Sequence, residues 1–129
     1  CYLVKALRDL GHEVVVCNRG KKNDGKPEPL PGMSDAEYQK MLEGVTVLLA
    51  DRKEPEALKA AVAGAGKFDI VYDNNARKLT DVEPLVAGIE ATGGCEQYIF
   101  MSSAGVYGPT DLLPLDEATP GDPNSRHKE

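Results

Sequence analysis

The sequence predicts an α/β fold in which helices cover both faces of a parallel sheet. Helical and strand-like segments alternate along the chain, and the strand-like segments are short and apolar on both faces. The run Gln97–Gly108 also passes from an apolar strand into two serines and a small-residue turn. That transition is typical of the carboxyl end of a parallel strand, where open α/β folds place their ligands.

Four helices are predicted, each with its own start or stop signal. They run over Tyr2–Leu10, from Ser34 to Gly44, over Pro55–Ala63 and from Thr80 to Ala91. The first has Leu3, Leu7 and Leu10 at helical spacing and is followed by glycine. Capping boxes open the second and the fourth helix, and a proline suits the first turn of the third.

Four strands are predicted between these helices, at Val14–Cys17, Val45–Ala50, Phe68–Tyr72 and Gln97–Met101. Because a helix separates each strand from the next, the strands should run parallel with right-handed crossovers. Two proline-rich, polar segments are predicted to be a surface excursion at 21–33 and a terminal loop at 109–129.

The chain opens inside a helix, whereas a doubly wound nucleotide-binding domain begins with a strand and a Gly-rich turn. No G-x-G-x-x-G motif occurs in the chain. We therefore predict that residues 1–129 form an incomplete Rossmann-type domain that lacks its first, central strand and Gly-rich turn, with no substrate domain in this chain. Two apolar strand edges would then be exposed, and the chain alone should fold poorly.

The net charge is −6 and is unevenly distributed. Residues 1–34 carry six Lys and Arg against four Asp and Glu, and the rest carries nine against seventeen. The overall sign argues against a broad nucleic-acid-binding face, although a local patch remains open. The three cysteines lack metal-ligand spacing, so we expect free thiols in a reducing compartment, buried at Cys17 and Cys95.

Several motifs resemble the extended short-chain dehydrogenases, which include nucleotide-sugar epimerases and dehydratases. The matching segments are Leu7–Val16 with Asn18-Arg19-Gly20, then Asp51-Arg52, then Phe100–Gly108. The resemblance implies NADP or NAD as cofactor and places Ser103 as the catalytic serine. The candidate cofactor-binding residues are Asn18, Arg19, Asp51, Arg52, Asn74, Asn75, Ala76 and Ser102. Asn74, Asn75 and Ala76 are included because they follow the third strand and face the same crevice, although Asn is also a common turn residue.

Individual residues of this set also have simpler explanations. Arg19 stands where an acidic residue would bind the ribose of NAD, which favours the 2′-phosphate of NADP, but it equally suits a surface patch. Asp51 could contact adenine or cap a helix. Ser103 needs a partner Tyr with Lys four residues later, and none of the five tyrosines has one. Ser102 and Ser103 could simply satisfy backbone groups at the strand end.

A narrower resemblance is to the chloroplast stem-loop-binding proteins. The matching segments are Leu30–Tyr38, Asp51-Arg52-Lys53, Phe68–Asn75 and Asp122–Lys128. This resemblance implies binding of plastid transcripts in the chloroplast stroma, magnesium-dependent endoribonuclease activity, association with ribosomes and oligomers with itself or a paralogue. Magnesium would bind weakly and through water, because no metal-ligand cluster is visible.

The candidate RNA contacts are Arg19, Lys21, Lys22, Lys26, Arg126 and Lys128. His127 is the candidate general acid or base for phosphodiester cleavage. Basic residues do not alternate with aromatic ones, so RNA binding rests on the resemblance alone. Two alternatives stay open: an NADP-dependent epimerase, dehydratase or reductase, and a cofactor-binding scaffold without chemistry.

Overall fold

A computed structural model describes residues 1–108 and 114–125 of the chain. Arg126, His127 and Lys128 lie outside the described residues. The helices are α1 Tyr2–Asp9, α2 Asp35–Leu42, α3 Pro55–Gly64 and α4 Leu79–Glu90. The strands are β1 Val14–Asn18, β2 Val45–Leu49, β3 Ile70–Asp73 and β4 Gln97–Phe100. In the described part, no helix is long and apolar enough to cross a membrane.

The strands form two separate parallel pairs. β1 pairs with β2 from Val14 opposite Val45 onward, and β3 pairs with β4 from Ile70 opposite Gln97 onward. The predicted α/β class with parallel strands is therefore confirmed. Within residues 1–108 and 114–125, each of these strands pairs along one edge and leaves the other unpaired.

The helices pack in two pairs, α1 with α2 and α3 with α4. α1 also contacts β1, and α3 contacts β2 of the first strand pair. The core between α3 and α4 consists of four buried side chains, Leu58, Val62, Leu85 and Ile89. Val71 and Tyr98, which face each other across β3 and β4, pack against this core from the sheet. α3 and α4 therefore cover one face of the second strand pair.

One helix start is confirmed and another is corrected. Ser34 caps α2 as predicted, because its Oγ accepts from the Glu37 N–H and the Glu37 carboxylate accepts from the Ser34 N–H. The capping box predicted at Thr80 is wrong. The N-cap of α4 is Lys78, two residues before Thr80, and the carboxylate of Asp81 accepts from the N–H groups of Arg77 and Lys78 at 3.0 and 3.2 Å. The Asp81 carboxylate in the first turn thus caps α4, and no Ser or Thr hydroxyl is needed.

Much apolar surface is uncovered. No residue of α1 is buried, and Leu10 at its end is 75% exposed. Ile70 and Tyr72 lie on the face of β3 away from the α3–α4 core and are exposed as well. The prediction that Cys17 is buried is wrong, because that thiol is exposed; Cys95 is half-buried. Since Val15 and Cys17 share one face of β1 and are both exposed, this face is incompletely covered.

Candidate functional site

The carboxyl ends of the strands are organised by one buried carboxylate, Asp73, which is 1% exposed. Arg52, in the turn after β2, donates from Nη2 to Asp73 Oδ1 at 2.5 Å and from Nη1 to Oδ2 at 3.2 Å. Tyr98 of β4 donates its hydroxyl proton to Asp73 Oδ2 at 2.7 Å. A carboxylate that accepts from both groups has the charge compensation that burial requires.

The same carboxylate also holds the chain that follows β3. Asp73 Oδ1 accepts from the N–H groups of Asn75 at 3.2 Å and Ala76 at 3.3 Å. Arg52 further donates from Nη1 to the Asp81 carbonyl at 2.8 Å, near the start of α4. The Arg52–Asp73 pair thus connects three segments: the turn after β2, the loop after β3 and the first turn of α4.

These contacts shift the ionisation of both acidic partners. Burial raises the pKa of Asp73, but hydrogen bonds from Tyr98 and Arg52 outweigh it, so the pKa lies below its usual range. Burial and the hydrogen bond to Asp73 raise the pKa of Tyr98. Asp73 is therefore a carboxylate and Tyr98 a neutral phenol at neutral pH.

The sequence indicated part of this network. Arg52 was expected at the strand ends as a cofactor contact, and there its guanidinium binds Asp73 and the Asp81 carbonyl. Asp73 was not among the predicted site residues. One signal could have found it: Asp73 is two residues after Val71 and therefore shares the face of β3 that packs on the core.

The other predicted cofactor residues have varied surroundings. Asn18 donates from Nδ2 to the Gly25 carbonyl at 2.6 Å and accepts at Oδ1 from the Gly20 N–H at 2.8 Å. Asp51 accepts at Oδ1 from the Lys53 N–H at 3.1 Å, which is the local turn contact. The remaining members, Arg19, Asn74 and Ser102, are exposed. Their contact with a cofactor stays a prediction.

Ser103 follows β4 and begins a single turn of 3-10 helix, Ala104–Val106. Its Oγ accepts from the Gly105 N–H at 3.1 Å. Ser125 donates its hydroxyl to the Gly105 carbonyl and so fastens this turn to the later chain. The contact at Ser103 is the one expected of a backbone-capping serine, and its catalytic role stays a prediction.

The basic residues that follow β1 are presented by an ordered loop, Arg19–Lys26, which we call the basic loop. Its four cations, Arg19, Lys21, Lys22 and Lys26, are all exposed. Gly25 is buried, and a Cβ on it would lie 2.6 Å from Leu49 Cδ2 and 2.8 Å from Val47 Cγ1. The base of the loop is therefore packed directly on β2.

Two further contacts hold the outer part of the basic loop against α2. Asn23 donates from Nδ2 to the hydroxyl of Tyr38 at 2.7 Å, and that hydroxyl donates to the Pro27 carbonyl at 3.0 Å. Among the described residues, no group of three or more His, Cys, Asp or Glu side chains could hold a metal ion. What this edge offers chemically is exposed positive charge on a fixed backbone.

No protein-family model matches the chain, and no solved structure matches it. The chain is 41% identical over 127 residues to the protein named "chloroplast stem-loop binding protein of 41 kDa b, chloroplastic", from Arabidopsis thaliana. The aligned region covers 98% of this chain and 32% of that relative, so the chain spans about a third of the relative's length. Identity over nearly the whole chain supports a relationship to the chloroplast stem-loop-binding proteins.

Proposed function

We propose that this chain, as a relative of the chloroplast stem-loop-binding proteins, binds stem-loop RNA in the chloroplast through its basic loop. The observation that carries the proposal is the exposure of Arg19, Lys21, Lys22 and Lys26 on one loop with a held backbone. Exposed Lys and Arg side chains bind RNA phosphates and release condensed counterions.

The loop cations are available for such contacts. Two ion pairs occur among the described residues, Lys5 with Asp9 and Arg52 with Asp73, and neither uses a loop cation. Asp24 is the one acidic residue inside the loop. Because the chain as a whole is acidic, its field should repel RNA elsewhere and orient it toward this loop.

The experiment compares two triple variants of equal charge. Lys21, Lys22 and Lys26 are replaced by Ala in the first, and the exposed Lys40, Lys59 and Lys67 in the control. Affinity for a labelled RNA hairpin is measured by fluorescence anisotropy over a series of KCl concentrations. We expect the loop variant to bind at least about tenfold more weakly and the salt slope to fall by roughly 2 to 3, at about 0.7 to 0.9 per phosphate.

The control variant separates site binding from general charge. It should stay within about threefold of the wild-type affinity and keep the wild-type slope, because its lysines lie outside the loop. Equal losses in both variants would show that only net charge matters. A wild-type affinity that does not change with salt would exclude phosphate binding altogether.

We also propose a second function, dinucleotide binding at the strand ends of a Rossmann-like domain related to the extended short-chain dehydrogenases. Dinucleotide binding is favoured by the hydrogen bonds through which Asp73 fixes the backbone of Asn75 and Ala76 at the end of β3. Arg19 fits the 2′-phosphate of NADP, because its guanidinium is exposed at the end of β1. Arg52 does not fit as a direct contact, since Asp73 engages it, and would act only by positioning.

Cofactor fluorescence tests this second function. NADPH should bind more tightly than NADH, and Arg19→Ala should remove the difference, because NADH lacks the 2′-phosphate. Equal affinities for both cofactors in the wild type would contradict the role of Arg19.

Cleavage of bound RNA is a separate proposal that the resemblance alone supports. His127 is the residue that we propose as general acid or base, with magnesium required. His127→Gln should abolish cleavage and leave hairpin affinity unchanged. Undiminished cleavage by that variant would remove His127 from the mechanism.

A further inference from the structure

Tyr38 connects the basic loop to helix α2 through one hydroxyl group. Its Oη accepts from Asn23 Nδ2 at 2.7 Å and donates to the Pro27 carbonyl at 3.0 Å. Asn23 Nδ2 also approaches the Pro27 carbonyl at 3.3 Å. Tyr38 is half-buried on α2, so the hydroxyl is presented from a regular helix and not from another loop.

The loop needs such a contact because its backbone is unfavourable by itself. Asn23 and Asp24 have φ values of +46° and +49°, and Gly25 follows at +79°. Asn and Asp adopt this left-handed region more readily than other non-glycine residues, but it remains less favourable for them than the right-handed region. The conformation therefore persists only where surrounding contacts hold it.

Two side chains supply those contacts from outside the strained residues. Asn18 holds the base of the loop through Gly20 and Gly25, and Tyr38 holds its outer part through Asn23 and Pro27. Between these two points the chain carries Lys21 and Lys22, and Lys26 follows directly. The backbone that carries the three lysines is therefore held by both contacts.

We infer that Tyr38 is a positioning residue for RNA binding, which holds the backbone that carries the loop cations without touching RNA itself. The inference rests on the proposed RNA-binding function and extends it. A loop that is already ordered loses less conformational entropy on binding than a free one, and this difference appears as affinity.

The same contacts define what the loop can recognise. The side-chain amides of Asn18 and Asn23 are used inside the loop, and so is the hydroxyl of Tyr38. No aromatic residue occurs in Arg19–Lys26 to stack on a base. The loop is left with cations, and cations on phosphates fix position without reading sequence. We therefore expect the lysines of the basic loop to follow the path of the RNA backbone, and Arg19 is the residue of the loop whose guanidinium also suits a base edge.

The test is Tyr38→Phe, which removes the hydroxyl and keeps the ring. Tyr72→Phe is the matched control, because no described hydrogen bond involves that hydroxyl and Tyr72 lies on β3. Tyr38→Phe loses both hydrogen bonds of the Tyr38 hydroxyl, while Asn23 keeps its own bond to the Pro27 carbonyl. We expect hairpin binding to weaken by about 2- to 13-fold, the factor that corresponds to the net contribution of one hydrogen bond. The salt slope should stay at the wild-type value, since the same cations still reach phosphates.

The salt slope separates positioning from direct contact. The loop variant with three lysines replaced loses affinity and slope together, whereas Tyr38→Phe should lose affinity alone. Hydrogen exchange at the Gly25 and Lys26 amides should accelerate in Tyr38→Phe and not in the control. Asn23→Gly serves if Tyr38→Phe fails to fold, because it removes the Asn23 side chain from the Tyr38 hydroxyl and tolerates positive φ.

Each outcome bears on one proposal. Wild-type affinity in both Tyr38→Phe and Asn23→Gly, with loss only in the lysine variant, overturns the positioning role and leaves RNA binding intact. A reduced slope in Tyr38→Phe also overturns it, because phosphate contacts would then be lost. No hairpin binding by the wild type removes the proposed function itself. Affinity that follows the stem sequence at constant hairpin shape contradicts recognition of the backbone.

Discussion

Arg52 follows β2 and Asp73 is the last residue of β3, and two hydrogen bonds between guanidinium and carboxylate, at 2.5 and 3.2 Å, join them across the two strand pairs. The carboxylate is fully buried, whereas the Arg52 side chain is 27% exposed. No strand hydrogen bond connects the two pairs among the described residues. The Arg52–Asp73 ion pair is therefore a polar link between the two halves of the domain. Helix α3 also joins the two halves, because it contacts both β2 and α4.

Asp73→Asn should lower the free energy of unfolding by about 2 to 4 kcal/mol, because it leaves Arg52 beside a neutral amide in a half-buried place. Urea unfolding followed by circular dichroism measures the change. Asp69→Asn is the matched control, since that carboxylate is exposed just before β3 and should change stability by less than about 0.5 kcal/mol. A similar loss in both variants would contradict the special role of Asp73.

The stability of the domain should depend on Asp73 in acid. Its pKa is lowered in the folded state, so its contribution is present above the unfolded pKa of about 4 and is lost as pH falls through the folded value. Unfolding free energies measured from neutral pH downward should fall below about pH 4 in the wild type. Asp73→Asn should show a shallower fall over the same range, and an identical profile would contradict this assignment.

Tyr98 should resist ionisation. Because burial and the Asp73 carboxylate raise its pKa, its contribution is present below about pH 10 and is lost as pH rises toward the folded value. Ultraviolet titration of the phenolate band should show a late fraction equivalent to one tyrosine. Tyr98→Phe should remove this late fraction and no other, whereas an unchanged titration curve would exclude the buried hydrogen bond.

Helix packing can be tested at two glycines with opposite surroundings. A Cβ on Gly88 of α4 would lie 2.8 Å from Val62 Cβ and 2.9 Å from the Lys59 carbonyl, whereas one on Gly64 of α3 meets no atom within 4 Å. Gly88→Ala should therefore destabilise the protein by about 1 to 3 kcal/mol through overpacking. Gly64→Ala should be neutral or stabilise by up to about 1 kcal/mol. Thermal unfolding distinguishes them, and equal effects would contradict the close approach of α3 and α4.

Local patterns in the sequence predicted the elements well, because each element carries its own signal. The Ser34 capping box and the glycine after it are examples, and α2 lies between them. The start of α4 shows the limit: a hydroxyl at Thr80 and a carboxylate at Asp81 both suit a helix start, and only three-dimensional geometry selects the carboxylate.

The site was predicted less well, because its contacts are not local. Arg52 reaches Asp73 across 21 residues, and Tyr98 reaches it across 25. Because Arg52 comes shortly after a strand, the sequence placed it at the carboxyl end of the sheet. No spacing rule, however, pairs Arg52 with Asp73. Tyr38 is a similar case, since its contact with Asn23 joins a helix to a loop fifteen residues earlier.

Because Asp73 is buried, added salt should affect its ion pair with Arg52 differently from the exposed charges of the basic loop. At about 1 M salt the Debye length is near 3 Å, so exposed charges hardly interact across solvent. The Arg52–Asp73 contact is screened far less, because its carboxylate is out of reach of dissolved ions. Concentrated salt should therefore weaken the proposed binding of RNA to the basic loop and leave the Arg52–Asp73 ion pair in place.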